Sequence, residues 1–226
     1  AVGTSRPFSS TVFNMISLLS GAAVFRSTNN PNGIAALRAE ADRLRHLADR
    51  GFLVPRVIEQ TRDHLVLSDI GIGLNVAIQK SSVPQRRRLL EKATDNLAEV
   101  HRHKEYHGRS VIKDMTLHPD GRIGLIDLEH EPLRVMPLGD AQSRDIWLLF
   151  MSAARCQRED ADLVIDLADR YMDRAPGAAV DALRSNMHVI DALNVPLLHA
   201  FRAIGLERTA RGVVEMNHTL HRHLNG

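Results

Sequence analysis

His107–Glu129 reads HGRSVIKDMTLHPDGRIGLIDLE, and this stretch decides the fold. Pro119-Asp120-Gly121 is a turn signal. It separates two short apolar runs, Met115–Leu117 and Arg122–Ile126, which predict a β-hairpin. Asp114 precedes the first strand and Asp127 follows the second. An antiparallel pair brings its outer ends together, so the two carboxylates are expected side by side. Adjacent carboxylates repel unless a cation stands between them. Hard oxygen donors with few other protein ligands suit Mg²⁺, which keeps water and adds phosphate oxygens.

Working outward, the chain before the hairpin alternates strands with helix. Val12–Leu18 and Ala22–Arg26 predict a hairpin around Leu19-Ser20-Gly21, and Asn29 to Gly33 is a dense turn cluster. Ile34, Leu37, Ala41, Leu44 and Leu47 recur at helical spacing and predict a helix over Ile34–Arg50, with Gly51 as its terminator. Phe52–Ile58 and His64–Ser68 read as further strands, and Asp69–Gly73 (DIGIG) as a flexible connector. Pro84 opens a helix over Gln85–Lys104. From Ser143 the pattern is helical to the end, with breaks at Pro176-Gly177 and Pro196. The expected class is α+β in two parts: a β-rich lobe with one helix over 1–73 and a helical lobe with the hairpin over 74–226.

Composition narrows the function. The 226 residues are 44% hydrophobic and 25% charged, enough for one large domain or two small lobes. A formal charge of only +2 is too small to argue for nucleic acid, and no nucleic-acid partner is expected. Cys156 is the single cysteine, which excludes an intramolecular disulfide and fits a reducing, cytoplasmic setting. No apolar run of about 18 residues is present, so no transmembrane segment is expected. Residues 1–13 lack the basic and apolar regions of a signal peptide, and the absent initiator Met is read as trimming. Arg86-Arg87-Arg88 reads as a solvent-facing helix surface or as a contact with an anionic membrane surface. His101, His103 and His107 invite a zinc reading, but HRHKEYH has no Cys partner and no HExxH spacing. His218, His221 and His223 read as a solvated helix end. No GxSxG or Ser-His-Asp pattern is legible.

The spaced set His107, Arg109, Asp114 and Asp127 resembles the catalytic and metal loops of the protein-kinase-like superfamily. It looks closest to the bacterial branch of lipopolysaccharide (Kdo/WaaP-type) and aminoglycoside-type kinases. The steps of 2, 5 and 13 residues suit that pattern. The resemblance covers about residues 12–155. It implies an ATP- and Mg²⁺-dependent phosphotransferase with a kinase-like two-lobed fold. Asp127 then stands in the DFG-like position as main metal ligand, Asp114 in the metal-binding Asn position, and Glu129 beside them. Arg26 in AVFR takes the place of the phosphate-binding Lys, and Glu40 that of the helix acid that orients it. Ser68 and Asp69 fall in the hinge against the nucleotide, and Asp145 where an acid braces the catalytic-loop backbone. His107 is expected to brace backbone as well.

Three departures, Arg26 in place of the usual Lys among them, leave two readings open. No GxGxxG is present, with only Gly3 to Ser10 available as a phosphate-covering loop. Arg109 replaces the expected catalytic base and accepts no proton at ordinary pH. Arg109 and Lys113 are instead expected to meet phosphate or substrate charge. One reading is a divergent kinase acting on a protein, lipopolysaccharide sugar or small-molecule hydroxyl. The other is a pseudokinase scaffold that binds a partner and transfers nothing.

Overall fold

The computed structural model describes residues 34–156, 162–192, 194 and 207–226. The expected strands over 12–26, Arg26, the Gly3–Ser10 loop and Pro196 lie outside them. The described elements are mixed, mostly helical, with small antiparallel sheets.

Helix α1 spans Ile34–Asp49 and buries Ala41, Leu44 and Leu47, the spacing of one helical face. Its end is a Schellman motif: Gly51 N donates to Ala48 O at 2.9 Å and Phe52 N to Leu47 O at 3.1 Å. Gly51 takes φ +86°, which favours glycine at that position. Strands β1 (Val57–Gln60) and β2 (Leu65–Leu67) pair antiparallel, with an irregularity between Val57 and Glu59. The strand expected from Phe52 therefore begins later. Phe52 belongs to the helix cap, Pro55 has no N–H to give a ladder, and Leu53 O instead accepts from Leu125 N at 2.9 Å.

The DIGIG connector is not free. Asp69 Oδ1 accepts from Gly71 N at 2.8 Å, forming a local turn. Ile72–Gly73 then forms β3, which pairs with β4 (Met115–Leu117), and β4 with β5 (Ile123–Leu125). The expected boundary after residue 73 falls where this strand runs directly into helix α2, Leu74–Gln79. Helix α3 spans Val83–Arg102; its first turn is closed by Gln85 Oε1 accepting from Ser82 N at 3.0 Å.

Helix α4 (Leu138–Cys156) is the spine. Every residue from Ala141 to Phe150 is buried. It packs against α3, α5 (Leu163–Met172), α6 (Gly177–Ala192) and α7 (Glu207–Asn225). One continuous core runs from Leu44 and Leu47 through Leu74, Leu97, Met115 and Leu125 to Phe150, Leu167, Tyr171 and Leu183. Among the described residues, both expected halves share it.

Of the C-terminal histidines, His218 and His223 are exposed as expected and His221 is half-buried, and all three make surface contacts with neighbouring helices. His221 Nε2 lies 2.8 Å from His188 Nδ1, His218 Nδ1 lies 3.3 Å from Asp191, and His223 Nε2 lies 2.6 Å from Asp169. Helix α7 packs on α5 and α6, so its polar side chains meet theirs. The arginine triplet is also partly committed. Arg86 Nε donates to Ser81 O at 2.9 Å and Arg87 pairs with Asp166, which leaves Arg88 exposed. No helix among the described residues is long and apolar enough to cross a membrane.

Candidate functional site

The site is built by one buried carboxylate. Asp145, fully buried on α4, accepts from His107 N at 2.7 Å and from Gly108 N at 2.9 Å. Ser110 Oγ donates to the Asp145 carbonyl at 2.5 Å. The loop after α3 is thus pinned to the spine helix by main-chain and side-chain bonds together. Burial pushes against ionisation of Asp145. The imidazole of His101, 3.7 Å away, and the Gly108 N–H outweigh it, so the carboxyl stays below its ordinary range. His101 is itself buried, its pKa lowered first by burial, and its Nδ1 lies 2.7 Å from Tyr171 Oη.

His107 turns its ring inward. Its Nε2 lies 3.2 Å from Asp114 O, and Nδ1 accepts from Arg109 N at 3.4 Å. The tautomer protonated at Nε2 satisfies both contacts. Ile126 N donates to the same Asp114 carbonyl at 3.0 Å. That bond extends the hairpin by one step and draws Asp127 towards Asp114. Asp127 has φ +62°, a left-handed conformation that a non-glycine residue adopts only where its surroundings hold it.

Between the two acids stands Arg109. Its Nη2 is 3.0 Å from Asp114 Oδ2 and 3.1 Å from Asp127 Oδ2, and its Nε is 3.2 Å from Asp114 Oδ2. Lys113 Nζ is 2.7 Å from Asp114 Oδ1 and 3.9 Å from Asp127 Oδ2. The Asp114 side chain is 3% exposed, against 31% for Arg109 and 59% for Lys113. Asp114 is therefore anchored, while Asp127, 38% exposed, borders solvent together with Arg109 and Lys113.

Two further acids border the pair. Glu40, half-buried on α1, has its pKa raised by burial first and then by Asp127 and Glu129. Glu129, exposed beyond β5, is likewise raised by burial and then by Asp127. The structure thus brings Glu40, Arg109, Lys113, Asp114, Asp127 and Glu129 together. Among the described residues no hydrogen bond or ion pair reaches Glu40, and Arg26 lies outside them. Ser68 and Asp69 do not join the cluster. Ser68 Oγ accepts from Arg56 N at 2.9 Å, and Asp69 serves the Gly71 turn.

Sequence reasoning missed the knot that ties α1 to this loop. Glu105, with a side chain 7% exposed, receives Arg43 Nη1 at 2.7 Å, His46 Nε2 at 2.7 Å and Arg50 Nε at 3.3 Å. Arg43 also donates to Tyr106 O at 2.7 Å and lies 4.2 Å from that ring's centroid. The available signal was the row Arg43, His46 and Arg50 at three- and four-residue steps on one side of α1. The three histidines of HRHKEYH diverge: His101 faces Tyr171, His103 faces Glu99 and His107 faces Asp114. Among the described residues no group of three or more His, Cys, Asp or Glu side chains is placed to hold a metal.

His130, buried behind the loop, has its pKa pushed down to about 4, first by burial and then by Arg109 and Arg144. Its neutral form stabilises the fold above its ordinary pKa of 6.5, and that stability is lost as pH falls towards about 4. The shift corresponds to roughly 3 kcal/mol. Urea unfolding of His130→Gln beside the wild type should show the variant losing about 3 kcal/mol less between pH 7 and pH 4. Parallel losses in the two proteins would remove His130 as the acid-sensitive group.

No protein-family model matches this chain, and no curated protein matches it.

Proposed function

We propose that the chain is a kinase-like phosphotransferase with a two-lobed arrangement, binding a nucleotide triphosphate at the carboxylate pair. The observation that carries this reading is the convergence of Asp114 and Asp127 on one guanidinium, 3.0 and 3.1 Å away, at the end of a hairpin pinned by Asp145. The donors fit Mg²⁺. Two carboxylates completed by water and phosphate oxygens are its ordinary protein environment, whereas a structural zinc needs a closed set of four ligands. Asp114 and Asp127 would hold the ion, with Glu129 beside them. Bound there, the ion would neutralise and align the phosphates.

The chain's own residues do the rest. Arg109 and Lys113 offer charge-assisted donors to phosphate oxygens. Asp145 and His107 hold the backbone on which Arg109 and Asp114 are carried. No residue at the Arg109 position accepts a proton, and loss of general-base help costs about 10²- to 10⁴-fold. Phosphoryl transfer rests mainly on positioning and electrostatics, so the reading survives that loss. The acceptor is a hydroxyl of a protein, a lipopolysaccharide sugar or a small molecule.

A pseudokinase scaffold is the second reading. The observation in its favour is Arg109 itself, a cation seated on both acids. Thermal unfolding with ATP, with and without Mg²⁺, separates the two. Ligand at 100 times its Kd stabilises by about 2.7 kcal/mol. A Mg²⁺-dependent rise in Tm that disappears in Asp127→Asn is the expected result. The absence of any rise favours the scaffold.

A further inference from the structure

Arg109 stands where two acids need a cation, and it carries its own charge there. A guanidinium does not deprotonate at ordinary pH, and its planar fork matches carboxylate oxygens. With Lys113 on the other side, Asp114 and Asp127 face two positive groups. The pair is neutralised before any ion arrives.

A divalent ion coming alone meets three costs. It must shed water, which Mg²⁺ does reluctantly. It must displace Arg109 from bonds of 3.0 and 3.1 Å. It then stands beside two cations that have lost their partners, and like charges a few ångströms apart repel strongly even at an effective dielectric of about 20. A phosphate group changes this balance. It offers Arg109 and Lys113 charge-assisted acceptors in place of the carboxylate oxygens they hold now. The exposures fit such an exchange at Asp114, whose side chain is buried while both cationic side chains border solvent; Asp127 borders solvent with them.

We infer that Arg109 is a resident counter-cation that makes divalent-metal binding at Asp114 and Asp127 conditional on a bound phosphate. The phosphate draws Arg109 and Lys113 off the carboxylates, and only then is the pair open to the metal. Binding is therefore ordered, with nucleotide before metal. This rests on the reading that a phosphate-bearing ligand occupies the site.

The test uses Mn²⁺ as the probe and water-proton relaxation as the readout, on the whole chain. Wild type should bind Mn²⁺ weakly without nucleotide. Arg109→Gln should bind it at least about tenfold more tightly, since tenfold is only about 1.4 kcal/mol and a full charge is removed. Asp127→Asn placed in that variant should abolish the gain. Lys113→Gln, at an exposed side chain, should raise affinity in the same direction and serves if Arg109→Gln does not fold. Equal Mn²⁺ affinity in wild type and both single variants overturns the inference. If wild type also shows the Mg²⁺-dependent ATP shift in Tm, the phosphotransferase reading stands without it. If neither ATP nor Mn²⁺ binds wild type or variants under any condition, both fall together.

Discussion

Asp145→Asn should cost about 1–3 kcal/mol of folding stability, the range for leaving a buried donor without its acceptor. Asp145 is fully buried and accepts the N–H groups of His107 and Gly108 through both carboxylate oxygens. An amide keeps one acceptor and turns an NH₂ towards one of those donors, so one buried N–H loses its partner. The same substitution at Asp166 is the control. That carboxylate pairs with Arg87 at the surface, half exposed, where ion pairs contribute about 0–1 kcal/mol. Urea unfolding of both variants gives the comparison directly. Similar losses at the two positions would mean that the loop is not held by Asp145. Under the proposed function, Asp145→Asn should also lose nucleotide binding, because the loop it pins carries Arg109 and Asp114.

The second large effect is expected from Gly108→Ala. Gly108 has φ +99°, and a Cβ there would lie 2.8 Å from His130 Cβ and 2.9 Å from His130 O. Neither atom is the end of a flexible side chain, so the backbone must shift. The left-handed conformation costs a side-chain-bearing residue about 1–2 kcal/mol, and overpacking adds about 1–3. A total near 3 kcal/mol is expected. Gly51→Ala isolates the first contribution, because its φ is +86° and its Cβ would meet nothing within 4 Å. It should lose only about 1–2 kcal/mol. If both alanines cost the same, the contact with His130 has no weight.

Much of the local structure was legible in the sequence because its causes are local. The 3.6-residue spacing of Ala41, Leu44 and Leu47 marks α1, and Gly51 marks its end. Pro119-Asp120-Gly121 marks the turn, and the antiparallel rule then brings Asp114 and Asp127 together. Where prediction and structure differ, a longer-range partner intervened. DIGIG reads as a free connector because nothing in those five residues announces that Ile72 and Gly73 will pair with Leu117 and Thr116. The C-terminal histidines His218 and His223 are exposed as read, but their surface partners Asp191 and Asp169 lie on other helices and could not be named from the local sequence.

The sequence alone determined the α+β order of the described elements and the hairpin that sets Asp114 beside Asp127. Only the tertiary structure decided how the charges are distributed among them. Arg109 sits five residues from Asp114 and eighteen from Asp127, yet bonds both. Asp145 reaches His107 across 38 residues, and His101 reaches Tyr171 across 70. Periodicity and turn chemistry act within about one helical turn, so residue types report them directly. Which buried charge meets which partner depends on how the helices pack around α4, and packing is a property of the whole chain.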